Sequence, residues 1–86
     1  MSKEEILSVL VFLLKENNLL REDESVCLDT RLDSDFGFDS ITIIQFVLLI
    51  EEFYEMEFTD LELSLESICS VATIVEIIYK RINKLK

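Results

Sequence analysis

The spacing of apolar residues predicts three long helices along the chain. Apolar side chains recur at helical spacing near the start, and this period predicts a helix over residues 3–16. A second long helix is predicted over 40–55 and a last one over 71–84, with a short helix over 61–66 between them. β-branched residues are frequent in the second and last stretches and favour strands as the competing interpretation, but the period is helical.

Each predicted helix has a capping residue at its start. Ser2 and Glu5 have the spacing of a capping box, in which each side chain accepts a hydrogen bond from a backbone N–H of the first turn. Asp39, Asp60 and Ser70 are predicted to cap the following helices in that order. The last helix ends in cations that suit the negative end of a helix dipole: Lys80, Arg81, Lys84 and Lys86.

A connection of mixed polarity, residues 17–39, joins the first two helices. It is longer than most helix–helix loops, and loops of that length are commonly functional or disordered. Its apolar residues predict that it packs against the core: Leu19, Leu20, Val26, Leu28, Leu32 and Phe36. The predicted fold is therefore all-α, a four-helix bundle with a long first loop and a short third helix, in a single domain over residues 1–86.

The helix over 40–55 has two apolar faces. At about 100° per residue, one face carries the predicted core residues Ile43, Phe46, Val47, Ile50, Phe53 and Tyr54. The opposite face carries Ile41, Ile44 and Leu48, and beside them lie Gln45, Glu51, Glu52 and Glu55. This outer face is either further core packed under the long loop or an exposed docking surface for a partner, and we favour the docking surface.

Composition and charge restrict the classes of partner. The chain has 86 residues with one Gly and no Pro, which disfavours a turn-rich β fold. A net charge of −10 without His repels nucleic acids and anionic membranes, and it favours partner proteins that carry basic patches. No Lys or Arg lies between Leu32 and Tyr79, whereas ten acidic residues lie from Asp33 to Glu66, so one side is expected to be uniformly negative.

The cysteines and the first apolar run predict a cytoplasmic protein. The run at 6–14 is too short to span a bilayer, and its leader lacks the positive charge of a signal peptide. Cys27 and Cys69 are far apart, cannot form a Cys/His zinc site without His, and are predicted to be buried or half-buried thiols. We predict no metal site, since the acidic segment 33–39 lacks the calcium-loop spacing, although weak divalent-cation binding stays open.

The segment DFGFDSI, residues 35–41, ends a polar loop at Ser40. This serine is not expected to be a catalytic nucleophile, because the chain has no His for a triad and the flanking aspartates disfavour an alkoxide. It is then either a helix cap or an attachment site. The first position of a helix is a ready place for a phosphate, because backbone N–H groups and the positive dipole end lie there.

The same region resembles the attachment region of acyl carrier proteins and their peptidyl relatives. That family's pattern is an acid, an apolar residue, Gly, any residue, Asp, Ser and a Leu-like residue, matched here by Asp35, Phe36, Gly37, Asp39, Ser40 and Ile41. The apolar helix that follows contains paired glutamates in IEEF. Phe58 before Asp60 resembles the family's entry into a short third helix, and SICSV at 67–71 resembles the entry into its last helix.

The resemblance implies that Ser40, next to Asp39, receives a 4′-phosphopantetheine arm from coenzyme A through a separate phosphopantetheinyl transferase. The carrier itself would catalyse nothing, and would present acyl or aminoacyl thioesters on the arm to partner enzymes. Those acyl- or aminoacyl-activating and transferring enzymes would have basic patches. The resemblance implies that they read one face of the second long helix: Ile41, Ile44, Leu48, Glu51 and Glu52.

Two positions depart from the pattern of fatty-acid carriers. Thr42 and Gln45 occupy positions that are commonly acidic there, and a neutral Gln45 is more like carriers of amino acids, D-alanine included, or of specialised clusters. We therefore expect a free-standing, monomeric carrier of a dedicated pathway, with acyl and aminoacyl cargo both open. The alternative is a small acidic helical protein-interaction adaptor in which Ser40 stays unmodified.

Overall fold

The computed structural model describes residues 2–84, except for the side chains of Leu65 and Lys84. This part of the chain contains five helices. They are α1 (Lys3–Glu16), α2 (Leu32–Phe36), α3 (Ser40–Tyr54), α4 (Leu65–Ile68) and α5 (Val71–Lys84). The predicted dipole contacts of Lys84 and Lys86 lie outside the described residues. Within that part no strand occurs, so the helical interpretation of the β-branched stretches is confirmed.

One core lies between the three long helices. α1 packs against both α3 and α5, and the short α4 packs against α5. The side chains that fill the centre are almost completely removed from solvent: Ile6, Leu10, Leu14, Phe46, Ile50, Ile74 and Ile78. The predicted all-α bundle with a long first loop and a short helix before the last one is confirmed.

The predicted caps of the long helices are present. Glu5 N–H donates to Ser2 Oγ over 3.2 Å, and Ser2 N–H donates to Glu5 Oε1 over 2.9 Å. Ser70 Oγ accepts from Thr73 N–H at the start of α5 over 3.4 Å. These bonds satisfy N–H groups that have no partner within the first turn of a helix.

The long loop contains α2, which the sequence did not predict. The Asp35 carboxylate accepts the Arg31 N–H over 2.8 Å at its start. At its end, Phe38 N–H donates to Leu32 O over 3.0 Å, and Gly37 adopts a left-handed conformation with φ of 68°. This closure is a helix end for which glycine is favoured. A helix of five residues is too short to produce a recognisable apolar period.

Backbone hydrogen bonds tie this loop to the start of α5. Leu32 N–H donates to Cys69 O over 2.7 Å, and Val71 N–H donates to Thr30 O over 3.1 Å. Between them, Arg31 and Ser70 form an isolated antiparallel bridge. The end of the loop that leads into α3 is therefore fixed in place, as the packed-loop prediction requires.

Two predictions for the loop are wrong in detail. Leu28 is 40% exposed, although the neighbouring Leu32 is completely buried. Cys27 is also exposed, while Cys69 is a buried free thiol as predicted. Leu28 and Cys27 both lie in a turn that is closed by a hydrogen bond from the Thr30 N–H to the Cys27 carbonyl over 3.1 Å, and their side chains point into solvent.

The short helix before α5 lies later than predicted. Thr59, rather than Asp60, forms the capping pair: Glu62 N–H donates to Thr59 Oγ1 over 3.2 Å, and Thr59 N–H donates to Glu62 Oε1 over 2.8 Å. This pair closes only a turn, and α4 begins after Ser64. Asp60 lacks a Glu or Gln three residues later, so it has no reciprocal partner.

The inner face of α3 is buried as predicted, with one exception. Ile43, Phe46, Val47 and Ile50 are 0–3% exposed, whereas Phe53 is 49% exposed. Phe53 lies in the last turn of α3, roughly 60° from the centre of the core face at 100° per residue. Its ring instead packs edge-on against Tyr54, with centroids 5.0 Å apart.

Neighbouring isoleucines on opposite faces of α3 provide a test of this arrangement. Ile43→Ala should lower the free energy of unfolding by about 2–5 kcal/mol, because it leaves a cavity in the core. Ile44→Ala should change it by less than about 0.5 kcal/mol, because Ile44 is a surface side chain. Urea unfolding of both variants measures the difference, and equal losses would place both residues in the core.

Candidate functional site

Ser40 occupies the first position of α3 and is exposed. Asp39 precedes it as the N-cap, and its Oδ1 accepts the Thr42 N–H over 2.8 Å. Among the residues that the structure describes, none forms a hydrogen bond with the Ser40 hydroxyl. The sequence left two interpretations of Ser40, a helix cap or an attachment site. Asp39 is the cap of α3, so the cap interpretation of Ser40 is excluded.

The cap also fixes the charge next to Ser40. Hydrogen bonds from Thr42 hold the pKa of the Asp39 carboxyl below its ordinary value, so this group is ionised at neutral pH. Its negative charge lies at the positive end of the α3 dipole, which stabilises the helix start. A carboxylate used in this way is a poor base for the neighbouring hydroxyl.

Ser40 lies where two clefts meet. The polar cleft has a volume of about 330 Å³ and is lined by Arg31, Asp33, Phe38, Ser40, Ile43, Glu66 and Cys69. The apolar cleft has a volume of about 370 Å³ and is lined by Ser40, Ile44, Val47, Leu48, Glu51, Leu63 and Ile68. A substituent on the serine oxygen therefore has room in either cleft.

Arg31 is a residue of this site that the sequence did not indicate. It precedes Ser40 by a full helix and a turn, and the bridge to Ser70 brings it to the polar cleft. Its Nε and Nη2 donate to the Asp33 carboxylate over 3.3 and 3.4 Å. These hydrogen bonds lower the pKa of Asp33, and burial raises the pKa of the Cys69 thiol nearby.

The sequence predicted a uniformly negative side of the molecule, but two arginines interrupt it. Arg31 interrupts it beside Ser40, and Arg81 reaches from α5 to bind both oxygens of Glu62 over 2.7 Å. Partial burial alone would raise the pKa of Glu62, but the hydrogen bonds from Thr59 and Arg81 lower it overall. Both cations come from outside the base-free segment and are placed there by the fold.

The outer face of α3 is in solvent, as predicted. Ile41, Ile44 and Leu48 are 68%, 52% and 58% exposed. Glu52 is exposed beside them, but Glu51 is half-buried and its Oε2 accepts the Phe58 N–H over 2.8 Å. Glu51 therefore holds the connection after α3, which is a use that the sequence did not indicate.

The turn at 59–64 adds apolar surface that the sequence assignment missed. Leu61 is 89% exposed, and Leu63, 36% exposed, lines the apolar cleft. Both residues lie in the region predicted as a short helix, and the sequence did not predict that their side chains would be exposed. Leu63 lies beside Ile44 and Leu48 in that cleft, so it extends the exposed apolar surface beyond α3.

Comparison with known sequence families identifies this arrangement. Residues 15–78 match the family described as the phosphopantetheine attachment site. The chain belongs to that family. The predicted resemblance to acyl and peptidyl carrier proteins is confirmed. A search of curated proteins gave no match.

Membership of the family fixes the cofactor and the general role. Carrier domains of this kind hold a covalent 4′-phosphopantetheine group, interact with phosphopantetheinyl transferases and biosynthetic enzymes, and are generally not catalytic. The residues at the start of α3 fit such a group, because the exposed Ser40 hydroxyl forms no hydrogen bond within the described part of the chain and has open space beside it. None of the helices in residues 2–84 is long and apolar enough to cross a membrane.

The bond between Glu51 and the backbone at Phe58 predicts different roles for two adjacent glutamates. Glu51→Ala should speed hydrogen exchange of the Phe58 amide, because it removes the acceptor of that N–H. Glu52→Ala is the matched control, with the same loss of charge one position later, and should leave that amide at the wild-type rate. Amide exchange followed by NMR measures both, and similar rates in the two variants would contradict the assigned hydrogen bond.

Proposed function

We propose that this chain carries acyl or aminoacyl groups as thioesters on a 4′-phosphopantetheine arm attached to Ser40, and presents them to the enzymes of a dedicated biosynthetic pathway. The observation that carries the proposal is the serine itself. It is exposed, hydrogen-bonded to none of the described residues, and placed at the helix start of a chain that belongs to the phosphopantetheine attachment family.

The residues around Ser40 can position the arm but cannot install it. The chain has no His, and the carboxylate of the preceding residue, Asp39, accepts a hydrogen bond from the Thr42 N–H. Deprotonation of the Ser40 hydroxyl therefore requires a base from the transferase. Once attached, the group supplies the terminal thiol on which cargo is held as a thioester.

The outer face of α3 provides the docking surface for partner enzymes. Burial of Ile41, Ile44 and Leu48 offers about 1.5–3 kcal/mol for each side chain, and ordering costs on association remove much of it. The resulting affinity is roughly micromolar, which suits a carrier that must leave each partner. Glu52 and Glu51 fringe this surface with negative charge and favour partners with basic patches.

Two residues in the first turns of α3 support a dedicated pathway. Thr42 and Gln45 are neutral at positions that are commonly acidic in the fatty-acid carriers that the chain resembles, and Gln45 is exposed to a docking enzyme. A partner that expects two carboxylates there loses both ion pairs. Acyl and aminoacyl cargo are both compatible with this surface. The cytoplasmic location and the monomeric state expected from the sequence remain predictions.

Attachment at Ser40 is tested by intact mass after co-expression with a broad-specificity phosphopantetheinyl transferase. The wild-type chain should gain one phosphopantetheine, and Ser40→Ala should gain none, because the accepting oxygen is gone. Ser34→Ala, which removes another exposed hydroxyl from the preceding loop, should be modified like wild type. An unmodified wild-type chain, under conditions that modify a control carrier, would favour the alternative of an acidic adaptor.

Recognition through the outer face is tested by the initial rate of that modification. Ile44→Glu should slow it at least tenfold, because a charge in the docking surface costs more than about 1.4 kcal/mol of binding. Phe12→Glu is the matched control on α1, since Phe12 is 54% and Ile44 52% exposed. Equal rates for the two variants, with both folded by circular dichroism, would place the docking surface elsewhere.

A further inference from the structure

A phosphodiester on Ser40 creates an electrostatic problem at this site. The group carries one negative charge, and three carboxylates already lie beside it, at the cap and in the polar cleft: Asp33, Asp39 and Glu66. The Asp39 carboxylate already interacts with the N–H groups at the helix start. A modified carrier therefore needs a cation close to the phosphate, because like charges at short range are mutually destabilising.

Arg31 is the cation in the right place. It is the single basic residue among those that line the polar cleft, and Ser40 lines the same cleft. Its backbone is held by the Asp35 carboxylate, which accepts its N–H over 2.8 Å, and by the bridge to Ser70. The guanidinium therefore extends from a fixed point beside the serine.

The side chain of Arg31 is only weakly committed to its present partner. Its two hydrogen bonds to Asp33 are 3.3 and 3.4 Å long, and the side chain is 42% exposed. Exposed ion pairs of this kind contribute little to stability. Nη1 of Arg31 donates to none of the described residues, so the guanidinium can bind a second anion without leaving the first.

We propose that Arg31 binds the phosphodiester of the arm and directs the first part of the arm into the polar cleft. The inference rests on the proposed attachment at Ser40. A planar guanidinium matches two phosphate oxygens, which a lysine cannot do in the same way. With the first part of the arm held in the polar cleft, the outer face of α3 and the apolar cleft stay accessible to a partner enzyme.

The experiment begins with the wild-type chain in its apo and modified forms, whose identity is established by intact mass. Modification should move the ¹⁵N resonance of Arg31 Nε and slow the exchange of its attached hydrogen, because the guanidinium gains an anionic partner. The Nε resonance of Arg21, an exposed loop arginine paired only with Glu24 among the described residues, should not move. This comparison requires no variant and is independent of folding defects.

Two variants then report on the phosphate itself. In the modified wild-type chain, added salt should move the ³¹P resonance because it screens the contact with Arg31. In modified Arg31→Gln, the resonance should lie closer to that of the urea-unfolded carrier, and added salt should no longer move it. In modified Arg21→Gln, which loses the same charge elsewhere, the resonance and its salt dependence should match wild type. Arg31→Lys should fall between them, because it keeps the charge and loses the paired donors.

The outcomes separate this inference from the proposed function. A normal gain in mass, with an unchanged Arg31 Nε resonance and the same ³¹P position in both glutamine variants, would overturn the role of Arg31 and leave attachment at Ser40 intact. No gain in mass would overturn the attachment and the inference together. A shift in Arg31→Gln alone supports the contact.

Discussion

The fold of the site depends on the two backbone hydrogen bonds that join residues 30–32 to residues 69–71. They join the residues that lead into α2 to the residues that lead from α4 into α5, which are far apart in the chain. The bonds fix where α2 begins, and α2 and the turn after it lead directly to Ser40 at the start of α3. The positions of Ser40 and Arg31 both follow from these bonds.

The second constraint is the division of α3 into two faces. Its inner face is packed into the core between α1 and α5, while Ile41, Ile44 and Leu48 remain in solvent. A helix that is apolar on both sides is normally buried on both sides. Keeping one side exposed leaves apolar surface without a partner in the isolated chain, and the carboxylates beside it would repel a second copy of the same surface.

Local signals predicted the fold and the serine at the start of α3, whereas the position of Arg31 was missed because it depends on a long-range contact. The caps at Ser2, Asp39 and Ser70 and the faces of α3 depend on spacing within one turn or one helix, which can be counted in the sequence. The position of Arg31 beside Ser40 depends on a bridge between segments far apart in the chain. The short helix was misplaced for a local reason, because Thr59 and Glu62 close a turn in the predicted helical region and α4 begins only after Ser64.

The connection between α3 and α4 is held at two points by groups on different helices. Glu51 on α3 accepts the Phe58 N–H, and Arg81 on α5 binds Glu62 and the Glu57 carbonyl. Because these contacts come from different helices, loss of one leaves the connection bound at the other. The connection is then expected to rotate through a small angle about the remaining contact, and Leu63, which forms one wall of the apolar cleft, is expected to move with it and to return to the same place.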